Sequence, residues 1–313
     1  MRFLALLLAA GLLIPAFGCG GSDGDAGESG TLPGSGTLQA RLDSDSAEDS
    51  ALIFSTSDFA VGENRIGFLL VAKNGKLVQA PTASVLVAPR GLGAAATRRV
   101  QAELVPLGPH SHPRGAKPHD HGGATDLYVA NVRFDRPGRY GLVVEPERGA
   151  IQGFGLVDVK RRSASLALGS RAFPSDNPTL ADAPAERITT ARPPDRELLR
   201  YSIEDSLAAG VPFVAVFATP KFCSSRTCGP TVEVVDKVRR QIDSTSRFNR
   251  ARFIHVEVYR ENDPSKGVNR FMREWKLPTE PWVFVVDRKG RIRAKFEGSV
   301  SVRELESAVR KVL

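Results

Sequence analysis

Residues 212–230 read PFVAVFATPKFCSSRTCGP: an apolar β-type run, a turn carrying two cysteines, and a Gly-Pro pair that opens a helix. The cysteines, Cys223 and Cys228, are separated by Ser224, Ser225, Arg226 and Thr227. On a continuous helix that spacing spans about 7.5 Å of rise, beyond the reach of a disulfide. Cys223 is therefore expected in a loop that folds back, with Cys228 near the helix start. Pro230 suits a first helical turn, where its missing N–H costs nothing. A helix N-terminus supplies partial positive charge and free N–H groups that lower a thiol pKa, and Arg226 and Lys221 could add to that effect.

Helix and strand signals alternate outward from this stretch. Arg196 to Ala209 predicts a helix ended by Gly210, and Val211 to Ala218 a strand. Thr231 to Ile242 sets Val232, Val235, Val238 and Ile242 on one helical face. Phe253 to Tyr259 predicts a strand and Val268 to Trp275 a helix. Pro281–Val286 and Ile292–Phe296 are expected as strands joined by Asp287-Arg288-Lys289-Gly290. Ser301 to Leu313 is expected as a helix opened by the capping box Ser301-x-x-Glu304.

The cysteine turn, together with LPTEPWVFVVDRKGRI (277–292), resembles the TlpA- and ResA-like thiol oxidoreductases of the thioredoxin superfamily over about 115 residues. That resemblance implies an α/β thioredoxin fold for 196–313. It also implies a cis-proline at Pro281 lying against the cysteines, and Cys223, Cys228 and Pro281 as catalytic residues supported by Gly229. The family's spacer is two residues, against four here. Glu280 is a second departure, standing where the family carries an uncharged residue. A carboxylate there would raise a thiol pKa and oppose catalysis, or would accept a proton from a buried thiol. Cys223 is expected as the attacking thiol and Cys228 as the resolving one, with the reverse assignment open. The alternative is a non-enzymatic binding or copper-handling lipoprotein in which the pair is an inert disulfide pinning a loop. Sco-like copper chaperones share a two-cysteine turn but add a histidine near the cis-proline, where this chain has Glu280 and Trp282. His255, mid-strand, reads as a core residue.

Residues 50–160 carry short strand signals punctuated by turns, among them Asn74-Gly75 and Asp135-Arg136-Pro137-Gly138. They predict an all-β sandwich. DLYVANVRFDRPGRYGLVVE (126–145) resembles the immunoglobulin-like domains of exported bacterial proteins of the YtkA type. The fold class expected is thus two domains, an all-β Ig-like sandwich followed by an α/β thioredoxin fold. A Pro-rich linker, 161–195, joins them.

Residues 1–19 have the form of an export signal: Arg2, then an apolar run from Phe3 to Phe17, too short to span a bilayer. Ala16-Phe17-Gly18-Cys19 resembles a lipoprotein cleavage box, which implies lipidation of Cys19. Residues 20–49, rich in Gly, Ser, Asp and Glu, predict a flexible leash. Cys19 leaves two of three cysteines as a pair expected to be redox-active or bridged. The expected place is the extracytoplasmic membrane face, the expected partners exported protein dithiols or disulfides. The net charge of +8 is scattered without aromatic interleaving, which argues against nucleic acid. His110, His112, His119 and His121 cluster in one Gly- and Pro-rich loop competent for Cu or Zn. The thiol chemistry itself requires no cofactor.

Overall fold

The computed structural model describes residues 36–44, 48–106, 108, 126–147, 151–225, 227–245 and 251–313. The export signal, Cys19, most of the leash, the histidine loop and Arg226 lie outside the described residues. The described residues all fall within one compact unit.

A short helix, α1 (Leu38–Ser44), precedes seven strands: β1 (Glu48–Phe54), β2 (Gly62–Val71), β3 (Thr82–Pro89), β4 (Arg98–Pro106), β5 (Asp126–Phe134), β6 (Gly138–Pro146) and β7 (Ile151–Val159). They pair in the order β1-β2-β5-β4-β3-β6-β7, and the parallel ladder from Glu48↔Ile151 to Ala51↔Phe154 closes them into a barrel. Alternation sends Ile66, Phe68, Tyr128, Val132, Leu142 and Val144 inward, each at most 1% exposed.

The Ig-like sandwich is therefore corrected to a closed barrel: among the described residues the seven strands β1 to β7 meet edge to edge in one closed sheet and leave no facing sheet between them. Two local features explain the difference. Glu48 and Asp49, expected in the leash, belong to the closing strand β1. The turn at residues 135–137 joins β5 to β6, which are not ladder neighbours. It carries the chain across the barrel end, where Tyr140 Oη donates to the Arg136 carbonyl at 3.1 Å and the Phe134 and Tyr140 rings meet at 4.7 Å.

Close backbone contacts hold the barrel's outer layer. A methyl group on Gly141 would lie 2.8 Å from the carbonyl carbon of Gly91 and 2.9 Å from the Leu92 nitrogen. Backbone cannot yield as a side chain does. Gly141→Ala is expected to cost about 1–3 kcal/mol. At Gly93, where a methyl meets nothing within 4 Å, the same change should stay within about 0.5 kcal/mol. Thermal melts of the two variants check this.

Beyond the barrel come α2 (Ala185–Ile188), a 3-10 turn at Arg196–Leu199, α3 (Ile203–Ala208), β8 (Phe213–Phe217), α4 (Cys228–Thr245), β9 (Arg252–Val256), α5 (Arg270–Glu274), β10 (Trp282–Val286), β11 (Ile292–Glu297) and α6 (Val302–Arg310). The sheet order is β11-β10-β8-β9, with β8 and β9 parallel and the other pairs antiparallel. β8 and β10 are buried along their whole length, which is why both read as continuous apolar runs. One face packs on α4 and α6 through residues such as Val235, Val238 and Leu305; the other packs on Ile203, Phe271 and Trp275.

The expected α/β thioredoxin fold is likewise corrected. The chain is built mostly of strands, a seven-stranded barrel plus a four-stranded mixed sheet, with few helices. Arg196–Ala209, expected as one helix, splits into the 3-10 turn and the six-residue α3. Val268–Trp275 contracts to the five-residue α5. Asn269, whose side chain accepts the Met272 N–H at 3.2 Å, caps that helix and sets its late start.

Residues 161–195, expected as a linker, pack closely. Ala172 donates its N–H to the Gly290 carbonyl at 2.9 Å, and Arg171 bridges to Arg291. Asp58, between β1 and β2, accepts the backbone N–H groups of Ala164 and Ser165 at 2.8 and 3.2 Å. Lys295 on β11 donates to the hydroxyls of Ser163 and Ser165 at 2.6 and 2.9 Å. Burial alone would raise the Asp58 pKa; hydrogen bonds from residues 163–165 and the Lys295 charge bring it below the ordinary value.

Candidate functional site

The chain leaves the end of β8 through Ala218 and Thr219, turns at residues 220–222, passes Cys223 and enters α4 at Cys228. The backbone N–H of Cys228 donates to Cys223 Sγ at 3.3 Å. Ser225 Oγ lies 3.2 Å from the same sulfur and 2.8 Å from Thr227 Oγ1. Cys223 thus occupies the place of a helix cap, its sulfur accepting N–H groups that the first turn leaves unpaired. Both cysteines are present as thiols.

The two thiols are unequal. Cys223 is partly exposed, and its pKa is lowered to about 5, first by the hydrogen bond from the Cys228 thiol, then by Ser225 and the N–H groups of Cys228 and Thr227, against a cost from burial. Cys228 is fully buried. Its pKa is pushed far up by sharing that hydrogen bond, by burial and by the Cys223 charge; only the Thr219 N–H opposes this. The sequence left open which cysteine is activated, because Cys228 is nearer the helix. The folded-back loop favours Cys223, since it brings that sulfur to the Cys228 thiol and to the N–H groups at the start of α4. Alkylation of Cys223 by iodoacetamide should follow its thiolate, with a midpoint near pH 5 in place of the ordinary thiol value of about 8.5.

The remaining residues expected at the site are placed as follows. Gly229 and Pro230 form the first turn of α4, which begins two residues before Pro230. The Glu280–Pro281 peptide is cis, as is Arg192–Pro193. The ladder pair Trp282↔Phe217 sets the 280–281 segment beside 218–219. The Pro281 carbonyl accepts the Gly298 N–H at 2.9 Å. Glu280 is half-buried, its pKa raised by burial and then by the Cys223 charge, so its carboxyl shares the thiols' electrostatic environment. His255 is buried in β9, with Nε2 3.0 Å from the Ala218 carbonyl and Nδ1 3.3 Å from Thr189 Oγ1. Both ring nitrogens are engaged within the protein core, as the sequence suggested.

Three supports escaped the sequence reading. Thr190, within 161–195, accepts the Lys221 N–H at 3.2 Å and donates from its own N–H and hydroxyl to Glu257 at 2.8 and 2.9 Å. The cysteine loop is thereby braced on a buried carboxylate. Tyr259 packs edge-to-face on Phe222, ring centroids 6.4 Å apart. Its pKa is raised by burial and by the charges of Glu280 and the cysteines. A Thr-Thr pair amid prolines and a Glu inside an apolar strand were the available signals; neither carries meaning until the tertiary fold joins them.

Among the described residues no group of three or more His, Cys, Asp or Glu is placed to hold a metal. No described helix is long and apolar enough to cross a membrane. No protein-family model matches the chain, and no curated protein matches it.

Proposed function

We propose that this chain is a thiol–disulfide exchange protein of the extracytoplasmic membrane face, with Cys223 as the attacking thiolate and Cys228 as the resolving thiol. The observation that carries this reading is the inequality of the pair: one sulfur partly exposed and accepting an N–H at the head of α4, the other fully buried. An inert disulfide pinning a loop needs no such asymmetry.

In the reductive direction, the Cys223 thiolate attacks one sulfur of a partner's disulfide. A Cys223–partner bond forms, the partner's S–S bond breaks, and its second sulfur leaves as a thiolate. Cys228 then loses its proton and attacks Cys223 Sγ. The mixed disulfide breaks, the partner departs with both sulfurs reduced, and Cys223–Cys228 becomes the disulfide. Two electrons pass from the pair to the partner; the same steps run backwards when the partner is a dithiol. The partners are exported protein dithiols and disulfides.

Cys228→Ser removes the resolving step and leaves the first one intact. Incubated with oxidised insulin at pH 7, this variant is expected to accumulate a covalent Cys223–insulin adduct that dithiothreitol releases, visible on a non-reducing gel. An adduct no more abundant than that of Cys223→Ser would count against the assignment.

A further inference from the structure

A groove of about 810 Å³ runs between the barrel and the edge strand β11, lined by residues of β2, β5, β11 and the segment 161–170. Val61, Leu166, Leu168 and Trp282 give it an apolar lining. Val61 and Leu168 are 41% and 56% exposed, so part of that lining meets water. A concave space of this size, partly apolar and with charged groups at hand, is what small-molecule sites offer.

We propose that this groove binds a small anionic amphiphile, an organic acid with an apolar body. The charges lining it fall into two sets. The first is met within the protein. Asp58 accepts the N–H groups of Ala164 and Ser165. Glu297 accepts the N–H groups of Ser57 and Asp58 at 2.9 and 2.8 Å, and the hydroxyls of Ser57 and Thr279 at 2.7 and 2.9 Å. Lys295 shares the field of both carboxylates. Glu63 lies 3.4 Å from Arg133, and Arg65 and Arg293 pair with Glu304 and Asp287 at 2.7 and 2.6 Å. The second set is Arg161, Arg162 and Lys276, all exposed and all lining the groove. Among the described residues none of these three meets an acid. Each acid of the groove thus has a donor, while three cations are left for an anion.

Lys276 adds an independent observation. It follows α5 with a φ of +56°, and the Leu277 N–H donates to the Met272 carbonyl at 2.8 Å to close the turn. Glycine is the residue that this position favours at the end of a helix. A lysine held there instead brings a cation to the groove at a conformational cost, and strain of that kind gathers at ligand sites. The proposal does not depend on the thiol chemistry.

The test is isothermal titration of the full chain with decanoate and with decanol at pH 7. Decanoate should bind at one site, and decanol at least about tenfold more weakly. Arg161→Glu with Arg162→Glu should weaken decanoate about tenfold or more and leave decanol unchanged. Lys276→Gly separates binding from folding: it should melt no lower than wild type, since glycine suits the backbone, yet weaken decanoate about threefold. Equal affinity for the two ligands would overturn the proposal. So would a decanoate affinity that these charge variants leave unchanged, or the absence of any saturable heat with decanoate.

Discussion

Replacing Cys223 by serine is expected to lower insulin reduction by about a thousandfold or more at pH 7, because the nucleophile of the first step is gone. A hydroxyl in that place stays protonated at every accessible pH, so the helix N–H groups that stabilise a thiolate have no anion to meet. Cys228→Ser should also stop turnover but retain a single stoichiometric attack, and the two variants are thereby distinguishable. The wild type should depend weakly on pH from 6 to 8 in its first step. Its attacking thiol, lowered to about 5, is already ionised there, while an ordinary thiol would gain rate about tenfold per pH unit over that range. A stopped-flow measurement of mixed-disulfide formation against pH reads this directly.

The second large effect concerns stability. Arg65 on β2 reaches Glu304 in the first turn of α6 with two bonds, 2.7 and 3.2 Å, and both side chains are largely buried. Glu304 is also the acidic half of the capping box, accepting the Ser301 N–H at 3.0 Å while its own N–H donates to Ser301 Oγ at 3.2 Å. One carboxylate therefore joins the barrel to the sheet and starts the last helix. Glu304→Ala leaves a buried guanidinium whose Nη1 already has no partner among the described residues. The expected loss is about 3–5 kcal/mol, read as a lower denaturation midpoint. Glu304→Gln should lose less, since its amide oxygen can still cap the helix.

The sign of the pH effect follows from the same carboxylate. Burial alone would raise its pKa, but the Arg65 charge and hydrogen bond, with Ser301, hold it below the ordinary carboxylate value. A carboxyl depressed in the folded state contributes stability that is fully present above its unfolded pKa of about 4.3 and is lost as pH falls through the lower folded value. Denaturation midpoints of wild type and Glu304→Ala should therefore converge in acid and separate above about pH 5.

Strand content was legible where burial is one-sided. Asp126 to Phe134 alternates in sequence, and β5 lies there, with Ala130, Val132 and Phe134 buried and Asn131 and Arg133 exposed between them. Closure of the barrel was not legible, because it rests on one parallel ladder between the first and last strands, pairing residues about a hundred positions apart. Local periodicity carries no information about that ladder, and the turn at 135–137 has the composition of an ordinary hairpin. The helices were over-read for a related reason. Residues 196–209 hold enough apolar spacing for a helix, yet the polar cap at Ser202, whose Oγ accepts the Asp205 N–H at 2.9 Å, restarts the chain in mid-segment.

At the site, the pairing of Cys223 with the head of α4 followed from spacing alone, since no straight helix lets the two sulfurs meet. Which thiol is activated did not follow. It depends on the direction in which a first helical turn presents its N–H groups, together with a loop braced by Thr190 and Glu257 from distant parts of the chain.

The proposed exchange of electrons between the Cys223–Cys228 pair and other thiols fixes a reduction potential that can be measured. The most direct measurement equilibrates the purified chain in buffers of reduced and oxidised glutathione, traps the thiols with acid and alkylation, and counts the modified cysteines by mass. A thiolate stabilised as Cys223 is favours the reduced form, so a single two-electron transition at a potential above about −300 mV is expected. A pair that stays fully oxidised at every glutathione ratio, with a potential well below about −300 mV, would contradict it.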